Sequence, residues 1–355
     1  MRIFIDVGHP AELHFFHNIA IDLKRNGHDV MLSVRDKDCN LPLVDSFELP
    51  HVVRGKGSTN LIGKFFHLFK ADMRLIRAAR RFRPDLFLSF CSPYAAHAAF
   101  IMRKPHIAFN DTEHSPLIRL LYKPFTNSII TPVCYKKSLG KKHIRISGLK
   151  ELAYIHSSTG DDYRKSSLHN FPERYILLRV ISHNALHDQA YKSNINREEL
   201  VKRLSEILPV LISSEEELPG ALKKYALHIP PSLLHHAMAK AELVISEGAT
   251  VASEAALLGT PALYHYMRFG YLDELENKFQ LLKYCGDTDS LIQKAIEIIN
   301  DPASRNNQTK KLEKFFAENI NVKDFIVWFV ENWPDSKAQL AKDTALPDRF
   351  KCKLP

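Results

Sequence analysis

The sequence predicts an α/β protein of two doubly wound domains, and three observations predict it. Apolar segments of strand length alternate with segments of helical period along most of the chain, the pattern of parallel sheets covered by helices. At 355 residues, 45% of them hydrophobic, the chain is too long for one core and suits two of roughly 150–200 residues. The third is residues 243–263, LVISEGATVASEAALLGTPAL: a short buried strand, a Gly-containing turn, a helix of small residues and the start of another strand.

Composition narrows the class. No apolar run approaches the roughly 20 residues of a bilayer span, and Asp6 interrupts the N-terminal apolar stretch too early for a signal peptide. The cysteines Cys39, Cys91, Cys134, Cys285 and Cys352 are scattered without a C-x-x-C pair, as expected of reduced thiols in a cytoplasmic protein. Charge is uneven. Residues 1–150 hold 24 Lys+Arg against 12 Asp+Glu, and residues 151–355 hold 25 against 28. An electropositive first half implies an anionic partner.

Taken in order, residues 2–7 form a strand ended by Gly8-His9-Pro10. A helix is expected over 12–26 with Gly27 as its stop, then a strand over 28–34. Further strands are expected at 85–90, 105–109 and 128–131. His9, His14 and His17 cluster in or just after the first turn, at the carboxyl edge of the sheet. His14 or His9 would serve as general base toward an acceptor hydroxyl, since imidazole titrates near neutral pH. A capping or helix-face role is the alternative for both, and His17 reads as structural.

Residues 55–84 interleave Lys56, Lys64, Lys70, Arg74, Arg77, Arg80, Arg81 and Arg83 with apolar residues. The segment is either a packed helix with a solvated basic face or a basic amphipathic helix in peripheral contact with anionic lipid. Nucleic acid is not expected, because the aromatics share the apolar side. Asn110-Asp111-Thr112-Glu113-His114 follows a strand. Asp111, Glu113 and His114 would contact acceptor hydroxyls or replace His14 as base, or merely cap the next helix.

A polar stretch makes residues 151–172 the linker between domains. The second domain, 173–321, opens with a strand over 175–181 and continues with strands at 209–213 and 227–229. His235-His236 reads as surface. Within 243–263, Glu247-Gly248-Ala249-Thr250 breaks the strand, and Gly259 and Pro261 end the helix. Backbone N–H groups and the positive helix end there suit a diphosphate. Glu254, one turn in, would accept from a ribose diol. The triplets at 36–38 and 287–289 read as a loop and a helix N-cap, so no metal is expected. A dense apolar helix, 322–334, and a polar tail, 335–355, complete the chain.

Certain of these residues resemble known families. Gly8-His9-Pro10-Ala11 with His14-Phe15-Phe16, Asp111 to His114, and Gly148-Leu149-Lys150-Glu151 are similar to an uncharacterised bacterial and archaeal family of predicted GT-B glycosyltransferases. Glu-Ala-Ala-Leu-Leu-Gly-Thr-Pro at 254–261 resembles the donor segment of GT-B enzymes and of UDP-N-acetylglucosamine 2-epimerases. The opening is also distantly similar to the enzyme that adds N-acetylglucosamine to lipid I, whose first-loop histidine His14 would match. The resemblance implies a GT-B-like fold, two Rossmann-like domains with an interdomain cleft, and a last helix returning to the first domain. It implies that Arg179, Ser182 and His183, with Glu247, Gly248, Ala249, Thr250 and Glu254, face a nucleotide-sugar donor. The family's turn is glycine-rich where this chain carries Glu247, a carboxylate that would repel a diphosphate.

The expected function is metal-independent transfer of a sugar from a nucleotide-sugar co-substrate, UDP-linked by resemblance, to a glycan or polyprenyl-linked acceptor. That chemistry serves cell-surface polysaccharide synthesis in the cytoplasm or at the inner face of the membrane. No other cofactor is implied. The alternatives are a UDP-sugar 2-epimerase and a non-catalytic sugar-nucleotide or lipid-binding protein.

Overall fold

The computed structural model describes residues 1–37, 39–56, 61–113, 115–156, 159–165, 171–181, 195–265 and 270–353, with backbone only for residues 56 and 61–69. The chain divides into two compact units: Met1–Tyr154 with Ile320–Lys351, and Ile155–Asn319 with Cys352–Pro355.

The first unit holds seven parallel strands: β1 (Arg2–Val7), β2 (Asp29–Asp36), β3 (His51–Lys56), β4 (Leu86–Phe90), β5 (His106–Phe109), β6 (Ser128–Pro132) and β7 (His143–Ile146). Their order is β3-β2-β1-β4-β5-β6-β7. The chain winds outward from β1 to one edge and then from β4 to the other. The carboxyl ends of β1 and β4 therefore mark the switch point, where such sheets bind ligands. Register sets Asp6 of β1 beside Ser89 of β4. β1 and β4 are buried on both faces except at their ends, as central parallel strands must be. The short β3 and β7 are strands that the apolar pattern alone does not reveal.

The helix Pro10–Arg25 buries Leu13, Phe15, Phe16, Ile19, Ala20 and Leu23. The helix Val322–Glu331 packs on it: Lys323 Nζ lies 2.5 Å from Asp22, and Asn26 donates to Glu331 at 2.7 Å. A Cβ at Gly148 would stand 2.6 Å from Val322 Cγ2, so glycine is required where this helix approaches. The expected polar tail is instead part of this unit. Asp335–Lys342 is helical with Leu340 buried, and the Phe350 ring packs 5.7 Å from Phe325. Apolar residues spaced among charges hold it down. The expected linker is likewise structured: Glu151, Leu152 and Ala153 are buried in the first unit, and Thr159–Lys165 is a helix of the second.

The second unit holds β8 (Ile176–Val180), β9 (Val210–Ser214), β10 (Leu243–Ser246), β11 (Ala262–Tyr264) and β12 (Leu282–Tyr284), in the parallel order β12-β11-β10-β8-β9. The strand expected at 227–229 does not form. Only Ala226 bridges to Ile212, and Pro230-Pro231, without backbone donors, end any pairing. Asp287 caps the helix Thr288–Asn300 through a reciprocal capping box with Ser290.

Candidate functional site

Two groups of residues stand at the carboxyl edges of the two sheets. In the first unit β1 runs into the turn at Gly8. His9 is the N-cap of the helix Pro10–Arg25, its Nδ1 accepting from the Ala11 N–H at 3.2 Å. An Nδ1 that accepts leaves the neutral ring's proton on Nε2, which suits donation better than base catalysis from that nitrogen. His14 is half-buried with its ring 5.6 Å from those of Phe47 and Tyr154. His17 lies flat on Phe47 at 3.8 Å, and burial lowers its pKa to about 4. The structural reading of His17 holds.

The group that sequence reasoning missed is ionic. Asp6, fully buried, lies 3.1 Å from Arg54 Nε and accepts from Ser92 Oγ at 2.5 Å. Ser92 in turn accepts from the Ala95 N–H and starts the next helix. Arg54 also covers the Tyr94 ring at 4.3 Å. Glu12, in the first turn of the helix Pro10–Arg25, accepts from the Gly8 N–H at 2.6 Å. Burial first, and then the charges of Asp6 and Asp111, push its pKa up to about 8 against the opposing Gly8 hydrogen bond and Arg54. Glu12 therefore holds a proton near neutral pH.

Asp111 is tied to Lys150 Nζ at 2.7 Å, and Lys150 to Glu151 at 3.2 Å, Glu151 buried and the other two side chains 9% exposed. The structure thus brings Asp111 into one electrostatic neighbourhood with Glu12, while His114 lies outside the described residues. Cys91, immediately before Ser92, takes a left-handed φ of 57° and donates to the Phe109 carbonyl. Such strain gathers where side chains are aimed for function. Only the spacing β1–Gly8–Glu12 was a local signal. The rest comes from positions up to 145 residues apart in the chain.

In the second unit the turn after β10 is tight. Ser246 Oγ accepts from the Gly248 N–H at 3.0 Å, and a Cβ at Gly248 would meet Ile181 Cγ2 at 3.0 Å. The helix starts at Ala249, two residues earlier than the apolar period suggests, with Gly248 as an N-cap that has no side chain to offer. Ala249 and Thr250 thus lie in its first turn, where N–H groups lack helical partners. Glu247 is buried, and Arg197 holds it in a two-point pair at 2.7 and 2.8 Å. Its repulsion of an anion is thereby offset by a residue that sequence reasoning did not single out.

Other expected donor residues are engaged elsewhere. Arg179 donates to Ser213 at 2.8 Å and to Glu215 at 2.6 Å, the structural ion pair its place in a strand suggests. Glu254 is buried 3.2 Å from His235 Nε2. His235 is therefore not a surface residue. It is buried between Glu254 and the Tyr163 ring, which stacks at 6.0 Å. Ser182 and His183 lie outside the described residues.

Known proteins share this architecture. The Staphylococcus aureus MnaA–UDP structure has a TM-score of 0.68 at 14% identity, with 94% of this chain and 97% of that one covered. A putative UDP-N-acetylglucosamine 2-epimerase of Listeria monocytogenes has a TM-score of 0.67 at 12% identity, covering 93% and 96%. The glycosyltransferase SsfS6 of Streptomyces sp. SF2575, complexed with thymidine diphosphate, has a TM-score of 0.60 at 14% identity, covering 93% and 99%. At these identities the likeness establishes a GT-B-like fold. An uncharacterised protein of Methanocaldococcus jannaschii, MJ0665, is 22% identical over 162 residues, 44% of this chain and about half (48%) of that protein's length. The family model described as a protein of unknown function, DUF354, matches residues 1–323, and the chain belongs to that family.

Proposed function

We propose that the second unit binds a nucleotide-sugar donor, UDP-linked, at the carboxyl edge of β10, and that the protein transfers the sugar to an acceptor hydroxyl without a metal. The observation that carries this reading is the turn Ser246–Ala249. A glycine N-cap leaves first-turn N–H groups for a diphosphate, and Arg197 balances Glu247 beside them. The fold is shared with SsfS6, solved with thymidine diphosphate, and MnaA, solved with UDP.

The acceptor, a glycan or lipid-linked sugar of cell-surface polysaccharide synthesis, is assigned to the carboxyl edge of the first unit. Its proton goes to a base drawn from His14 and Asp111. His9 donates from Nε2, and Glu12, with a pKa near 8, exchanges protons close to working pH. Glu254 reaches a ribose only by exchanging its His235 contact.

One observation favours a second reading, a UDP-sugar 2-epimerase. Such chemistry needs several acid and base groups around one sugar, and Asp6, Glu12, Asp111 and Lys150 gather at one edge.

Thermal stabilisation by UDP, GDP, dTDP and their sugars, beside the Gly248→Val variant, tests donor binding. A ligand at about 100 times its dissociation constant adds roughly 2.7 kcal/mol. A shift with one nucleotide class that the variant loses supports the proposal, and none with any nucleotide overturns it. Product analysis then separates the readings: epimerised sugar without acceptor supports the epimerase, whereas transfer requires the acceptor.

A further inference from the structure

The first unit carries an apolar surface that its own fold leaves uncovered. Phe100 (63% exposed) and Ile101 (52%) end the helix Pro93–Met102, and Leu117 (66%), Ile118 (43%) and Leu120 (69%) line the helix Pro116–Tyr122. The two helices are neighbours. His97 lies 3.1 Å from the Leu121 carbonyl, and the Phe100 ring is 5.1 Å from Phe125, in the turn that follows the second helix. Single exposed leucines are ordinary, but five large apolar side chains on adjoining helices form a patch of the kind that marks an interaction surface.

Its surroundings are cationic. Residues 99–145 hold nine Lys+Arg and only two acids, Asp111 and Glu113. Asp111 is already paired with Lys150, and directly after the first helix Arg103 is exposed while the exposed Lys104 pairs with Asp85 at 3.4 Å. We infer that this patch docks the protein on an anionic bilayer, Leu117, Ile118, Leu120, Phe100 and Ile101 entering the headgroup boundary while the basic residues meet lipid phosphates.

Charge selects this occupant. A second copy of the chain would bring like charges face to face around the same apolar centre. A nucleic acid would satisfy the cations but leave branched aliphatic side chains with nothing to stack on. The basic segment 55–84 is the weaker lipid surface over its described part, because Ala71, Leu75, Ile76 and Ala79 are buried in the sheet core. Among the described residues no helix is long and apolar enough to cross a membrane, so contact through this patch is interfacial. The inference stands independently of any nucleotide-sugar chemistry.

The test is co-flotation of the full chain with vesicles of phosphatidylcholine alone or with about 30% phosphatidylglycerol, at two salt concentrations. Binding is expected to the anionic vesicles, weaker in high salt, and reduced at least about tenfold in Leu117→Gln/Leu120→Gln. Arg103→Glu/Lys104→Glu, which leaves every apolar side chain in place, lowers it too. Arg77→Glu/Arg81→Glu, in a separate basic groove of about 550 Å³, leaves it unchanged. Circular dichroism checks that the variants fold. Equal flotation of wild type and both patch variants overturns the inference. So does a concentration-dependent dimer that dissociates in the glutamine variant while vesicles are ignored.

Discussion

The two sheet edges achieve opposite things with similar topology. The first unit's edge concentrates ionisable groups: Asp6, Glu12 and Asp111 with Arg54 and Lys150. The second unit's edge is balanced in pairs, Glu247 with Arg197 and Glu254 with His235, and what it offers is backbone at a helix start. The contrast is the one the proposed function requires, since moving protons needs buried charge and shifted pKa values, whereas holding an anion needs oriented N–H groups and no uncompensated carboxylate.

The contrast can be broken one unit at a time, because both tryptophans, Trp328 and Trp333, belong to the first. Tryptophan fluorescence reports that unit, and far-UV circular dichroism reports both. Arg54→Ala has the largest expected effect. It strands a fully buried Asp6 and costs about 3–5 kcal/mol, seen as a lowered denaturant midpoint by fluorescence. Arg197→Ala strands Glu247 at a more open site and costs about 2–3 kcal/mol. Its loss is seen by circular dichroism with the fluorescence midpoint unchanged. A fluorescence shift in Arg197→Ala that matches its circular dichroism shift would show that the two edges are not separate.

The pH dependence should be concentrated in the first unit. Glu12 has a folded pKa near 8, above its ordinary 4.5, so the folded state binds the extra proton. Stability is full below about pH 4.5 and falls toward pH 8 by up to about 1.4 kcal/mol per pH unit. Glu12→Gln should flatten that limb of the fluorescence midpoint against pH. On the acid side burial lowers the pKa values of His17 to about 4, His106 to about 3 and His143 to about 4. Their contributions are present above about pH 6.5 and are lost as pH falls through the folded values. The smallest effect belongs to Asp287→Ala in the second unit. It removes the capping box and lowers the circular dichroism midpoint slightly, without a fluorescence change.

The second edge was readable in the sequence because its parts are adjacent: strand, Gly248, small-residue helix and the Gly259 stop lie within 21 residues. What stayed hidden there was Arg197, 50 positions from Glu247, whose partner no local pattern announces. In the first unit the strands β1, β2 and β4 follow from apolar runs, but Asp6, Arg54 and Lys150 each looked like an ordinary charge. Only the folded sheet brings Arg54 of β3 to Asp6 of β1, and Lys150 to Asp111 after β5. His235 was misjudged for a related reason. A histidine pair on a short helix resembles a solvated face until Glu254 and Tyr163 enclose it.

The return of Ile320–Lys351 to the first unit has a consequence for synthesis. Residues 155–319 form a contiguous unit that can close while the chain is still on the ribosome. The earlier-made Met1–Tyr154 must wait for the helix Val322–Glu331 to cover the helix Pro10–Arg25 and fill the space above Gly148. The half translated first is thus the half completed last. During that interval its uncovered apolar helix face is the part of the nascent protein most in need of a chaperone.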